Sequence, residues 1–177
     1  MKDFSYSVRE YDIVSYDEQW PVRFKTIQQK LKAIFRDDAV AIEHIGSTSV
    51  PGMEGKSIID ALIVLAEQAD LDSHREEMEK AEYVYQGQMV TDGSRLYRET
   101  EGNNILANIH VFHVTHPHVN QLLGFRDYLR AHPEAVAEYS AIKRELLRKY
   151  PNDYAAYRKE KDVFLNDLKK RAGIETV

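Results

Sequence analysis

The chain has 177 residues, 43% of them hydrophobic and 30% charged, a balance that supports one substantial core and excludes the low-hydrophobicity signature of disorder. It has no cysteine, which excludes disulfides, thiolate metal sites and a cysteine nucleophile together and fits a reducing compartment. A net charge of −5 argues against a long nucleic acid as partner and favours a small ligand, because nonspecific nucleic-acid affinity rests on many Lys and Arg side chains.

Residues 1–15 are charged throughout, without a firm period and without the apolar h-region of a signal peptide. Ser15-Tyr16-Asp17, followed by Trp20, Phe24, Ile27, Leu31 and Ile34 at steps of three and four, predicts a helix over 17–35 with Pro21 near its first turn. Ala39 to Ile45 reads as a strand that runs into the small-residue turn Gly46-Ser47-Thr48-Ser49. Ser57 to Leu65 is almost wholly apolar and branched, as a strand covered on both faces would be, except for Asp60. The longest apolar run, Ile58 to Ala66, contains that aspartate and is too short to span a bilayer, so a cytoplasmic protein without a membrane partner is expected.

Spacing predicts an exposed helix over 70–81. Strands over 83–90 and 95–100 flank Thr91-Asp92-Gly93-Ser94, whose Asp-Gly pair is a hairpin signal. Ile105 to Val114 is a further strand, with Asn108, His110 and Phe112 on one face and Ile109, Val111 and His113 on the other. Helical stripes follow: Val119, Leu122, Leu123, Arg126 and Leu129; then Val136, Tyr139, Ile142 and Leu146 after Pro133. A last helix over about 152–171 carries Tyr157, Lys161, Phe164 and Leu168 inward, the lysine snorkelling. The expected fold is α/β (α+β), one domain over 1–177. It has a mixed sheet of about five strands containing a hairpin, with its sheet-bearing part near 17–116 and C-terminal helices near 117–172.

The chemistry concentrates between His44 and Leu65. Gly46 lets the backbone pass close to a phosphate, Ser47, Thr48 and Ser49 offer N–H and hydroxyl donors, and Asp60 is a candidate ligand for Mg²⁺ or Mn²⁺. A charge in an apolar strand costs several kcal/mol unless it is paired, hydrogen-bonded or metal-bound, which singles Asp60 out. Gly52 and Gly55 do not give Lys56-Ser57 the GxxxxGK[ST] spacing, so the loop is not a Walker A sequence, but Lys56 is a candidate phosphate cation.

His110, His113, His116 and His118 crowd nine positions, yet His110 and His113 face opposite ways on a strand, which argues against a joint zinc site. His110, on a strand expected beside that of Asp60, and His44, at the turn, are the candidates for moving a proton. Arg126, on an otherwise apolar stripe, is a candidate bidentate phosphate donor; Arg95 and Arg98 are others, and salt bridges are the commoner use of such side chains.

Tyr16-Asp17, Trp20-Pro21 and Phe24, the run EHIGSTSVPG from Glu43 to Gly52, Lys56, Ile59-Asp60, His110-Val111-Phe112, and Phe125 to Arg130 with His132-Pro133 together resemble the GrpB-like family, over about 16–150. That resemblance implies a nucleotidyltransferase-superfamily fold, in which a Gly-Ser turn holds a triphosphate and strand carboxylates hold divalent metal. It also implies a link to nucleotide or coenzyme metabolism, because relatives occur joined to dephospho-CoA kinases. The superfamily pattern calls for two acids one residue apart, whereas here Asp60 is followed by Ala61 and Leu62. His110 stands roughly where a third acid is expected, and imidazole is a poor Mg²⁺ ligand. Three readings follow: a module binding a nucleotide or phosphorylated metabolite, a metal-dependent nucleotidyl- or phosphoryl-transfer enzyme, and a scaffold using the tyrosine-rich C-terminal helices as an interface.

Overall fold

The computed structural model of the chain describes residues 12–175; the unpatterned start, 1–11, and residues 176–177 lie outside them. Helix α1 (Gln19–Phe35) begins after Asp17, whose Oδ1 accepts from the Gln19 N–H at 2.8 Å, and buries Trp20, Phe24, Ile27, Leu31, Ile34 and Phe35 as the periodicity predicts. The Trp20 indole donates to Ser57 Oγ at 3.2 Å, tying the helix to the loop that precedes the second strand.

Five strands follow: β1 (Ala39–Ile45), β2 (Ile59–Leu65), β3 (Val84–Gly87), β4 (Arg95–Glu101) and β5 (Asn104–His113). They form one sheet in the order β1-β2-β5-β4-β3, in which only β2 and β5 run parallel. β2, apolar apart from Asp60, is flanked on both sides, which explains why its other residues are buried. The C-terminal helices are α3 (Pro117–Ala131), α4 (Pro133–Lys149) and α5 (Tyr154–Arg171); among the described residues no helix is long and apolar enough to cross a membrane.

Two local expectations change. The helix expected over 70–81 is only α2 (Arg75–Lys80). Asp70 captures the preceding backbone: its Oδ1 accepts from Asp72 N–H at 3.0 Å and its carbonyl from Ser73 Oγ at 2.8 Å, giving the chain turns in place of helix. The strands around Asp92-Gly93 pair antiparallel as expected, but β3 stops at Gly87, and residues 88–94 form a loop in which Ser94 N–H donates to the Thr91 carbonyl at 3.2 Å. The tight reversal lies between β4 and β5, where Gly102 takes φ +58° and Glu101 faces Asn104.

Register assigns the two faces of the sheet. Ala61, Ile63, Ala107 and Ile109 face α1 and make the main core with Trp20 and Leu31. On the other face Ile45, Leu62, Val64 and Phe112 pack with Val119 of α3. Asp60 and Asn108, side by side on that second face, form a polar end that the apolar cluster does not cover. A third cluster joins Val50 and Met53 of the turn region to Leu129, Tyr139 and Leu168, which fixes α4 and α5 beside this polar end.

Leu31 is fully buried at the centre of the α1 stripe. Leu31→Ala is therefore expected to lower the unfolding free energy by about 2–5 kcal/mol in urea titration with an unchanged slope; a loss of a few tenths would mean that α1 is not part of the main core.

Candidate functional site

The polar end of β2 is shaped by a glycine. Gly46 holds φ +70° and ψ −174°, and a Cβ on it would collide with Oδ2 of Asp60 and stand 3.1 Å from that residue's Cβ and Cγ. The missing side chain of Gly46 thus makes room for the Asp60 carboxylate. Its other oxygen, Oδ1, accepts from Asn108 Nδ2 at 2.8 Å. Asn108 Oδ1 in turn accepts from Arg98 Nε at 3.3 Å, and Arg98, only 2% exposed, reaches Gln86 Oε1 at 3.2 Å. A polar row thereby crosses the sheet from β2 through β5 and β4 to β3. It answers how a carboxylate is tolerated beside an apolar strand: an oriented amide donor, backed by a guanidinium, replaces water.

The C-terminal helices bring cations to the same place. Lys143 of α4 is 3% exposed; its Nζ donates to Ser47 Oγ at 3.2 Å and to the Glu54 carbonyl. Burial, helped by the neighbouring Lys161, pushes the Lys143 ammonium down to about 7, while Glu54 opposes the shift. Lys161 of α5 is also pushed down by burial, and it pairs with Asp162 at 3.5 Å. The Lys56 ammonium lies 3.9 Å from the centre of the Tyr154 ring. Ser47, Thr48, Asp60, Asn108 and these three lysines line one pocket of about 180 Å³, which Tyr154 and Tyr157 also line.

Of the residues singled out from sequence, Gly46, Ser47, Thr48, Lys56 and Asp60 meet here. Others lie apart. His44 pairs in register with Ala61 and so faces α1, where it stacks on Phe24 with ring centres 4.5 Å apart and shares a hydrogen bond with Thr48 Oγ1 at 2.9 Å. Ser49 is buried and donates to the Gly46 carbonyl at 2.7 Å. Arg126 bonds Glu43 at 2.7 Å, Asp127 at 2.7 Å and the His44 carbonyl at 3.2 Å, holding α3 to the edge strand β1 and away from the pocket lining. His110 stands 3.9 Å from Asp60 Oδ1, beyond direct hydrogen-bonding distance. Among the described residues no three His, Asp or Glu side chains gather as a metal site would need, the crowded histidines included.

A second pocket, of about 640 Å³, opens on the other side of the Ser47–Ser49 turn against His44, Ser49, Arg130 and Val136. It is larger but mainly apolar, and Arg130 is committed to the Ser49 carbonyl at 2.9 and 3.0 Å. Convergent polar groups are in the smaller one.

Comparison with known proteins gives the family and the fold. A family model described as the GrpB protein matches residues 10–171. The chain belongs to the GrpB family. It is 34% identical to the UPF0157 protein YqkA of Bacillus subtilis over 94% of this chain, spanning 48%, about half, of that relative's length. It is 30% identical to the glutamate-rich protein GrpB of Alkalihalophilus pseudofirmus over 90% of this chain and 94% of the relative. The crystal structure of the conserved protein GrpB from Enterococcus faecalis superposes with a TM-score of 0.84 at 30% identity, covering 91% of this chain and 96% of that one. The Cid1 poly(U) polymerase, in a mutant bound to MgATP, matches with a TM-score of 0.53 at 10% identity over 78% of this chain and 46% of the polymerase. The fold is nucleotidyltransferase-like.

Two variants check the local account. Gly46→Ala introduces both a disfavoured backbone angle and the collision with Asp60, so it should cost at least about 2 kcal/mol; in an Asp60→Ala background the collision disappears and the cost should shrink by about 1 kcal/mol or more. Additive effects would mean that the two residues do not touch. For His44, desolvation holds the ring down to about 4, below its ordinary 6.5, with Asp60 opposing and Arg130 and Arg126 assisting. The unfolded chain takes up that proton first. Stability from His44 is therefore complete above pH 6.5 and lost as pH falls from 6.5 to 4, by on the order of 3 kcal/mol. His44→Gln should flatten urea-measured stability across that window; an unchanged slope would show that the ring titrates normally.

Proposed function

We propose that this protein binds a nucleotide or phosphorylated metabolite in the pocket over Asp60, as a binding module on a nucleotidyltransferase-like fold that has lost the acid pair of that superfamily. One observation carries the reading: Lys56, Lys143 and Lys161, from a loop and two different helices, converge with Ser47 Oγ on a cavity whose wall holds the single carboxylate of Asp60. Buried lysine is costly, and placing several together adds repulsion, an arrangement that an anionic ligand relieves. Tyr154 and Tyr157 add aromatic faces suited to a base or another flat group. Phosphate would meet Ser47 and the ammonium groups, each a charge-assisted or hydroxyl donor.

Metal-assisted nucleotidyl or phosphoryl transfer is the second reading, and the nearness of His110 to Asp60 favours it, since a bridging group would connect them. It requires Asp60→Asn to abolish turnover.

Thermal shift against a panel of nucleotides and coenzymes, with and without Mg²⁺ or Mn²⁺, tests the pocket. A ligand at about a hundred times its Kd adds about 2.7 kcal/mol, which raises Tm by several degrees. The shift should be lost in Ser47→Ala and Lys143→Met. No shift with any ligand would refute the binding reading and favour a protein-interaction role.

A further inference from the structure

The likeness to nucleotidyltransferases implies a divalent metal at Asp60, and the side chains here do not fit one. A hard divalent cation needs several oxygen ligands, typically from more than one carboxylate. Leu62, where the second acid would stand, is fully buried in the Ile45, Val64 and Phe112 cluster. Asn108, the register partner of Asp60, offers that residue an N–H donor and spends its oxygen on Arg98. With Oδ1 of Asp60 accepting from the amide, a single acid is left to offer the pocket a carboxylate oxygen, short of the several oxygens a divalent cation needs. What surrounds it is cationic: Arg98 behind Asn108, and Lys56, Lys143 and Lys161 around the cavity.

We propose that the pocket binds its phosphate-bearing ligand without a divalent metal, the ammonium groups of Lys56, Lys143 and Lys161 supplying the charge that the ion supplies elsewhere. This rests on the reading of the pocket as a phosphate site. The ammonium groups are held before any ligand arrives: Lys143 by Ser47 and the Glu54 carbonyl, Lys161 by Asp162, and Lys56 over Tyr154. Such preorganised charges need little rearrangement to receive an anion.

A coupled proton follows from the same crowding. The groups that face Lys143 are Lys161 and the tyrosines Tyr154 and Tyr157 from α5, Glu54 and Lys56 from the loop, Asp60 from β2 and Tyr139 from its own helix. Lys161 and burial disfavour the Lys143 ammonium, and Glu54 favours it. A bound polyphosphate adds negative charge, so binding draws a proton onto Lys143 and strengthens as pH falls through about 7.

Calorimetric titration of the full chain with ATP and with pyrophosphate, in excess EDTA and in excess MgCl₂, tests this. Binding in EDTA should be at least as tight as with MgCl₂, and Lys143→Met and Lys161→Met should each weaken it about tenfold or more. Lys143→Met replaces an ammonium disfavoured by burial but gives up its bonds to Ser47 and the Glu54 carbonyl, so its Tm is measured beside its affinity to separate lost folding from lost binding, and Lys143→Arg should retain most binding. Titrations in buffers of different ionisation heat should show proton uptake above pH 7 in the wild type and less in Lys143→Met. Binding that needs MgCl₂ would overturn the metal-free inference and leave the pocket reading standing. Binding in EDTA that both lysine variants retain would place the ligand elsewhere, and no binding under any condition would remove the phosphate reading and this inference with it.

Discussion

The Asp60 carboxylate fills the space that a side chain on residue 46 would occupy, and its remaining oxygen is held by the amide of Asn108. From that fit follow the left-handed turn after β1, the direction in which Ser47 points, and the buried row through Arg98 to the far strand. The lysines of α4 and α5 converge on the same point: Lys143 bonds Ser47, and Lys161 shares the wall of one cavity with Asp60. These contacts, with the packing of Met53 against Tyr139 and Leu168, link the sheet to the helices.

The overall architecture was legible because it depends on periodicity. The 3.6-residue stripe of Trp20 to Ile34 and the apolar run of β2 after Asp60 each demand one kind of burial, and the structure supplies it. Local turns were less legible, since Asp70 and Ser73 compete for backbone groups in ways a stripe does not reveal. The reversal at Gly102-Asn103 carries a Gly-Asn hairpin pair, but the Asp92-Gly93 pair competes with it as a signal and lies in a longer loop.

The site was half visible. Gly46, Ser47, Lys56 and Asp60 lie close in sequence, so a strand-turn-strand reading could gather them. Lys143 and Lys161 are some ninety residues away from Ser47 or more, and only the packing of Tyr139 and Leu168 on Met53 brings their helices back. One signal was present: Lys143 follows Tyr139 by one helical turn on a stripe otherwise uncharged, where lysine is out of place. Asn108 was visible as sharing a face with His110, but its role needed the parallel register that sets it opposite Asp60. Arg126 showed the reverse case. Its place on an apolar face suggested a ligand, and the structure gives it Glu43 and Asp127 instead.

The most direct measurement is a crystal structure of the chain grown with ATP in the presence of EDTA. The account predicts phosphate oxygens within hydrogen-bonding distance of Ser47, Lys143 and Lys161, with Asp60 still bonded to Asn108. Phosphates bound beside His44 and Arg130 in the larger pocket, or Asp60 released from Asn108 to contact the ligand, would contradict it.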